Sequence, residues 1–371
     1  MIRHAIVAGG GIAGHAAAIA LRKAGIDVTV LEQRHAEDGL GSFMRLNPNG
    51  LDALAALDVL DPVMNVSFPM THVEAYGPDG TLLVNRPLSD PVPERGLGAR
   101  FVTWTNLEQA LRAEAVRRGA SVRHAVRVTG ATGADDGVAA LLADGGRVDG
   151  DVLIGADGTR SVIRAAIDDE APAPEYCGSR TVYGYTPKTP ADVPPAPAQL
   201  RAYRGEGRLL AHIDDPVTGE QYWFTNLKTP DQLPEPGPST DEWRDQLLAL
   251  WPDADAPAAG IIAAASSIRA ADDKALHHLP RWHADRLVVI GDAAHAAPPA
   301  TEQGGAIALE DAAVLGQCLR DLELPLALAR FEQLRRDRVE KIIGFATGRL
   351  TTTESPNWSY HHHIDWSRQI R

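Results

Sequence analysis

The stretch His4-Ala5-Ile6-Val7-Ala8-Gly9-Gly10-Gly11-Ile12-Ala13-Gly14 decides how the rest of the chain is read. Ala5 to Ala8 are a short apolar run ending in glycine, the pattern of a strand covered on both faces in a parallel sheet. The glycines follow with G-x-G-x-x-G spacing. Gly9 permits a tight turn, Gly11 lets backbone N–H groups approach a pyrophosphate at a helix N-terminus, and Gly14 allows helix and strand to pack closely. Ile12 and Ala13 open the helix. Ala16, Ala17, Ile19, Ala20 and Leu21 form its packed face, and Gly25 stands where a left-handed residue ends it. Asp27 to Leu31 then reads as a second strand, followed by Glu32 and Gln33. Glu32 is placed to accept hydrogen bonds from an adenosine ribose. A glycine-rich turn without a ligand is the bland alternative, disfavoured because strand, helix and acid occur together. The fingerprint by itself does not separate NAD from FAD.

Working outward, 371 residues allow two or three structural units, or one large α/β domain with an insertion. Asp and Glu number 49 against 36 Lys and Arg, a formal charge of -13 that argues against nucleic-acid or anionic-membrane partners. Cys177 and Cys318 are too few for a disulfide framework or a Cys-based zinc site, so a reducing, cytoplasmic setting is expected and no metal is implied. Glycines interrupt the apolar N-terminus before a signal peptide can form. No run reaches the ~18 apolar residues of a membrane span, and the alanine-rich patch Ala258 to Ala265 is far too short.

Farther along, Leu107, Leu111 and Ala115 predict a helix over Asn106 to Arg118, and a strand is expected over Ser121 to Val128. A hairpin is expected around Asp144-Gly145-Gly146, and Val152-Leu153-Ile154 is another fully apolar strand. From Pro172 to about Pro257 the chain turns proline-rich, with strand-like pieces at Thr181 to Thr186, Leu209 to Ile213 and Gln221 to Leu227. This reads as an antiparallel insertion. Arg286 to Ile290 returns to the buried strand type, and the rest to about Leu350 is expected to be helical.

Two further motifs follow buried strands: Gly155-Ala156-Asp157-Gly158-Thr159-Arg160-Ser161-Val162-Ile163-Arg164, and Gly291-Asp292-Ala293-Ala294-His295-Ala296-Ala297-Pro298-Pro299. Both put an acid and small residues at the carboxyl end of a strand, where open α/β sheets bind ligands. With the first motif, they resemble the three fingerprints of the single-component FAD-dependent aromatic hydroxylases, the para-hydroxybenzoate hydroxylase-like flavoprotein monooxygenases. The likeness runs from residue 4 to about residue 345.

The resemblance implies a Rossmann-like FAD-binding domain, an interwoven substrate domain on a largely antiparallel sheet, and C-terminal helices. The boundaries expected are 1–72, 100–170 and 272–350 for FAD, 73–99 and 171–271 for substrate, and 351–371 for a tail. It implies that Glu32 holds the adenosine ribose and that Gly291 and Asp292 serve the ribityl chain. Asp157 and Gly158 would serve both FAD and NAD(P)H. Pro298 and Pro299 would lie beside the isoalloxazine, and Gln303, Gly304 and Gly305 would start a helix facing the flavin pyrimidine. A helix N-terminus suits the negative charge of a reduced ring on physical grounds alone. The implied reaction uses NADPH or NADH and O2 to hydroxylate an aromatic or polycyclic small molecule through a flavin C4a-hydroperoxide. Alternatives of the same fold are an FAD-dependent epoxidase, dehydrogenase or halogenase, the last lacking a Trp-x-Trp-x-Ile-Pro signature. A non-catalytic flavoprotein subunit is the alternative of a different class.

Two departures from the family pattern stand out. Glu302 replaces the first glycine and Ala306 the asparagine of Pro-Pro-x-x-Gly-Gln-Gly-x-Asn. Glu302 is therefore a candidate base, with an exposed loop carboxylate as the plainer reading. Trp104 stands where many relatives carry an FAD-binding arginine, which leaves Arg45 and Arg100 as candidates for that contact. On the substrate side, seven of the 20 aromatic residues fall between Tyr176 and Phe224. Strand alternation sends Tyr183 and Tyr185 to one face, and Tyr222 and Phe224 to one face with Trp223 opposite. Tyr185, Tyr222, Trp223, Phe224 and His212 are the candidate substrate residues, and His212 is also a candidate catalytic group. Ordinary cross-strand packing is the alternative for each singly. His277, His278 and His283 cluster without a metal-site spacing, and His361-His362-His363 reads as native tail. A monomer or homodimer is expected.

Overall fold

The computed structural model describes residues 2–37, 42–88, 96–134, 137–190, 193–205, 207–251, 257–351 and 356–371. Strand His4–Ala8 lies parallel to Asp27–Leu31 on one side and to Val152–Gly155 on the other. Leu287–Val289 adds parallel to Val152–Gly155, and His283–Ala284 and Ser121–Arg123 form the edges of this six-stranded sheet. Ala5 to Ala8 and Val152 to Ile154 are fully buried, as continuous apolar strands covered on both faces require. Helix Ile12–Lys23 covers one face, and helix Gly304–Asp321 packs on it so tightly that a Cβ on Gly316 would lie 2.7 Å from that of Ala20.

The strand expected over Ser121 to Val128 is instead two. Ser121–Arg123 stays in the six-stranded sheet, while Val128–Ala134 belongs to a separate three-stranded sheet with Gly137–Leu142 and Arg147–Gly150. The chain turns between them at Ala125, whose φ is +56° and whose N–H donates to Arg34 O. The hairpin at Asp144 forms as read, with the Asp144 carboxylate accepting from Gly146 N at 2.8 Å.

A seven-stranded sheet crosses the other end of the molecule. Its order is Ser267–Ala275, Glu175–Thr186, Gln221–Lys228, Arg208–Asp214, Gln199–Gly205, His72–Tyr76 and Leu82–Pro87. Pairing is antiparallel except between Gln199–Gly205 and His72–Tyr76. Pieces of three strands were legible, and four strands were not. Ser-Ile-Arg-Ala-Ala-Asp-Asp-Lys-Ala, for example, holds one β-branched apolar residue and is a strand because its neighbour pairs with it. One face of the sheet is covered by helices Thr240–Leu250 and Pro257–Ala263, with Trp223, Trp243, Leu247, Ile261 and Ile262 in the core between. The first helix carries a complete capping box between Ser239 and Glu242, a readable signal inside the segment taken as strands and turns.

The C-terminal helical region is two helices, Gly304–Asp321 and Leu324–Ala346, separated at Leu322 and Glu323 and restarted with Pro325 in the first turn. Beyond them, the tail folds back onto helix Pro48–Ala56. Asp52 accepts from His363 Nδ1 and from Ile364 N, each at 2.8 Å.

Candidate active site

The carboxyl ends of the parallel strands and the uncovered face of the seven-stranded sheet meet in a cavity of about 980 Å³. Asp292, Ala296 to Gly305, Arg45 and Trp104 line one side. Thr181, Tyr183, Leu200, Leu209, Ile213, Phe224, Asn226 and Arg269 line the other. Phe43 and Phe101 close the corner, their ring centroids 5.0 Å apart, with Tyr183 edge-on to Phe43 at 5.5 Å. Burial pushes the Tyr183 phenol up to about 12, so it stays protonated as a donor.

The nucleotide fingerprint has the shape its glycines require. A Cβ on Gly14 would sit 1.9 Å from the Gly9 carbonyl oxygen, and one on Gly9 (φ +101°) would sit 2.3 Å from that of Ala156. Gly11, by contrast, faces open space within 4 Å, room for a ligand to come against the first turn of helix Ile12–Lys23. Glu32 is buried. Desolvation raises its pKa, but two hydrogen bonds from Arg34 and one from Gly10 N outweigh it and hold the carboxyl below its usual range. It is thus an anion ready to accept ribose hydroxyls.

The second and third motifs behave differently. Asp157 spends its carboxylate on the short helix Val162–Ile167, accepting from Ser161 Oγ at 2.6 Å and Val162 N at 2.8 Å. Arg164, at the end of the same motif, donates to Ala293 O at 3.0 Å and to Thr159 O at 2.8 Å, joining the second motif to the third. Asp292 lines the cavity and has no hydrogen-bond partner among the described residues, while burial pushes its pKa up. Gln303 is similar. Its Oε1 accepts from Asn49 Nδ2 at 2.9 Å, yet its buried Nε2 has no partner among the described residues. Helix Gly304–Asp321 begins there without a side-chain cap, leaving its first N–H groups toward the cavity. An acceptor, an amide donor and a row of backbone donors all lacking protein partners fit FAD, whose ribityl hydroxyls and pyrimidine edge would satisfy them.

A family model described as "FAD binding domain" matches residues 3–346. The chain belongs to this FAD-binding family. It is 30% identical over 359 residues to an aurachin C monooxygenase/isomerase of Stigmatella aurantiaca, covering 95% of this chain and 89% of that protein. It is 32% identical over 365 residues to a 2-heptyl-3-hydroxy-4(1H)-quinolone synthase of Pseudomonas aeruginosa, covering 95% and 91%. Its fold superposes with a TM-score of 0.84 on Klebsiella pneumoniae HpxO in complex with FAD and uric acid, at 28% identity over 94% of this chain and 87% of that one. The protein is an FAD-dependent monooxygenase, an oxidoreductase that uses NAD(P)H and O2.

Within this flavoprotein the remaining candidate residues divide. Pro298, Pro299 and Glu302 line the cavity. Glu302 is a partner of Arg45, whose Nη1 donates to its carboxylate at 2.8 Å. Its backbone is left-handed at φ +51°, which costs a non-glycine residue about 1–2 kcal/mol. The pair contributes only about 0–1 kcal/mol, because the Glu302 side chain is 44% exposed. Arg100 is removed from the site: its guanidinium is taken up by Ser67 Oγ, Ser67 O and Met64 O. Gln33 is exposed beside Glu32.

His212 and Trp223 also lie elsewhere. They pair across neighbouring strands and both face the helices Thr240–Leu250 and Pro257–Ala263 rather than the cavity. His212 stacks on Tyr203 with centroids 5.8 Å apart and contacts Asp214 and Gln221, fully buried. Trp223 lies under Gly184, where a Cβ would come 1.9 Å from its indole. Tyr185 and Tyr222 are on the cavity face but stand behind its wall, both hydroxyls donating to Glu220 at 2.6 and 3.1 Å. The Glu220 hydrogen bond pushes Tyr185 up to about 12, and burial raises Tyr222 as well.

Sequence reasoning missed what holds the flavin side rigid. Arg335, Glu310 and Asp311 are wholly buried, with Arg335 bonded to Glu310 at 2.6 Å and to Asp311 at 2.8 Å. Asp311 also accepts from Gly291 N at 3.0 Å and contacts His295 Nε2 at 2.5 Å, and Glu310 accepts from Asn49 at 2.6 Å and from Arg338. Burial raises both carboxyls, but the Arg335 guanidinium and the hydrogen bonds they accept outweigh it and hold both below the usual carboxylate range. The only available signal was a run of acids and arginines at helical spacing, which usually marks a solvated face.

Proposed function

We propose that the protein hydroxylates a ring carbon of a flat aromatic or fused-ring molecule carrying an apolar substituent. The single observation that carries this reading is the shared cavity, with unmet polar groups of the flavin motifs on one side and an aromatic and aliphatic sheet face on the other. Bound FAD supplies hydride acceptance from NAD(P)H and activation of O2. In this reading Gly11 and Ile12 N–H groups meet the pyrophosphate, Glu32 the ribose, Asp292 the ribityl hydroxyls, and Gln303 Nε2 with the following helix N-terminus stabilises charge on the pyrimidine edge. Phe43, Phe101, Tyr183 and Phe224 orient the substrate ring and exclude water from it, which protects a reactive oxygen species from breakdown. Thr181 and Asn226, bonded to each other at 2.8 Å, offer the polar end of that wall. Asp157 acts by capping its helix and so shaping the second motif. The heptyl-quinolone named for the Pseudomonas aeruginosa relative supports a fused ring with an aliphatic arm, for which Leu200, Leu209 and Ile213 provide a surface.

The domain boundaries read from the sequence remain our division of the chain, with Ser267–Ala275 now added whole to the substrate part because it pairs in the seven-stranded sheet. A monomer or homodimer remains the expected assembly. A reducing cytoplasmic location suits Cys177 and Cys318, both free. No helix among the described residues is long and apolar enough to cross a membrane.

The test is to purify the protein with its flavin and follow NAD(P)H and O2 consumption against 4-quinolones, hydroxypyridines and simple phenols. A product heavier by one oxygen atom, formed from a quinolone faster than from a phenol, is expected. Flavin reduction by the substrate alone, without NAD(P)H, would assign a dehydrogenase instead.

A further inference from the structure

Residues beyond 346 lie outside the family match, yet they reach the site. The short helix Pro356–His361 brings the Tyr360 ring to 5.6 Å from the Arg45 guanidinium carbon, a cation–π distance. Arg45 in turn holds the Glu302 carboxylate, and Asn47 Nδ2 donates to the Glu302 carbonyl at 2.5 Å. The segment carrying Tyr360 is itself fastened on both sides. Arg338 donates to Ser359 O at 2.6 Å, and Asp52 binds His363 and the Ile364 N–H. A continuous line of contacts therefore runs from the C-terminal segment through Tyr360, Arg45 and Glu302 to the loop Pro298 to Gln303, which borders the flavin side of the cavity.

Stability does not account for this line. A half-exposed ion pair does not offset the left-handed backbone that Glu302 is obliged to adopt, and a glycine would rest there without strain. We propose that Tyr360 is a positioning residue: through Arg45 and Glu302 it fixes the loop Pro298 to Gln303 against the flavin side of the cavity and so keeps water from the reacting oxygen. The coupling of NAD(P)H oxidation to product rests on the monooxygenase reading above. The position of the loop does not, and is read separately.

The experiment uses the full-length, FAD-loaded protein with Tyr360→Phe, Tyr360→Ala and Glu302→Gly. Quenching of flavin fluorescence by iodide reports loop closure without turnover. It is expected to rise at least twofold in Tyr360→Ala and Glu302→Gly and to stay at the wild-type level in Tyr360→Phe, which keeps the ring. With a substrate that is turned over, product per NAD(P)H is expected to fall at least threefold in the first two variants, with KM for NAD(P)H little changed. Glu302→Gly is expected to melt at the same temperature as wild type or higher, separating position from stability. Unchanged quenching in Glu302→Gly and Tyr360→Ala would overturn the proposal, as would equal loss in Tyr360→Phe and Tyr360→Ala. Altered quenching in a protein that oxygenates none of the quinolones, hydroxypyridines or phenols would uphold the loop assignment while refuting the proposed substrate class.

Discussion

The two walls of the cavity are built on opposite principles. The flavin wall is held from behind by buried charges, Arg335 between Glu310 and Asp311, tied to the Gly291 turn and to His295. The substrate wall is held by apolar packing, with Trp223 and the helices Thr240–Leu250 and Pro257–Ala263 behind the strands that present Tyr183 and Phe224. Directional bonds fix the wall that must meet a cofactor of constant shape. Packing, tolerant of volume-conserving exchange, supports the wall that meets the substrate.

The most severe test of this contrast is Arg335→Leu. It leaves two buried carboxylates without the arginine they share, so a loss of about 3–5 kcal/mol is expected in urea unfolding, together with loss of bound flavin. Trp223→Ala is expected to cost a comparable ~3–5 kcal/mol from the cavity left behind. It differs in leaving the FAD dissociation constant unchanged in fluorescence titration, and a flavin defect there would merge the two walls. Asp292→Ala removes a buried hydrogen-bonding group worth about 1–3 kcal/mol, so FAD binding is expected to weaken roughly fivefold to a hundredfold with circular dichroism unaltered. Phe224→Ala is expected to raise substrate KM about tenfold, as burial of an aromatic ring is worth about 1.5–3 kcal/mol, while kcat changes less. Trp223→Ala and Phe224→Ala exchanging these outcomes would mean that the faces of the sheet are reversed.

The effect that is smallest at neutral pH, and appears only in acid, is that of His15. Burial first, then the charge of Arg112, lowers His15 from 6.5 to about 3 in the folded protein. Between those values the unfolded chain binds about one more proton at this residue, so its share of stability is intact above pH 6.5 and declines as pH falls toward 3. His15→Gln is expected to flatten the acid side of the stability profile by about one proton, measured by denaturation at a series of pH values.

The legible part of the molecule is what local spacing encodes. Gly9 to Gly14, Glu32, Gly291 and Asp292 each lie within a few residues of a strand end, so sequence order is nearly spatial order. The seven-stranded sheet was legible only as fragments, because Ser267–Ala275 and Gln199–Gly205 owe their conformation to partners far away in sequence. Alternation correctly put Trp223 opposite Tyr222 and Phe224, but it has no means of telling which face meets the cavity. That choice is made by the helix behind, announced by Ser239 and Glu242 and overlooked among prolines. His212 was misplaced for the same reason, and Arg100 because it satisfies itself on Ser67 and Met64, which spacing does not bring near.

The order of strands in the parallel sheet has a consequence for synthesis of the chain. Strand His4–Ala8 is flanked by Asp27–Leu31 and Val152–Gly155, and the neighbour beyond is Leu287–Val289, made nearly three hundred residues later. The helix that closes the flavin side, Gly304–Asp321, comes later still and packs on the first helix of all. On a ribosome, the seven-stranded sheet has all its strands by Ala275 and can settle while the nucleotide site is still open. The flavin side of the cavity is complete only once Gly304–Asp321 has been made.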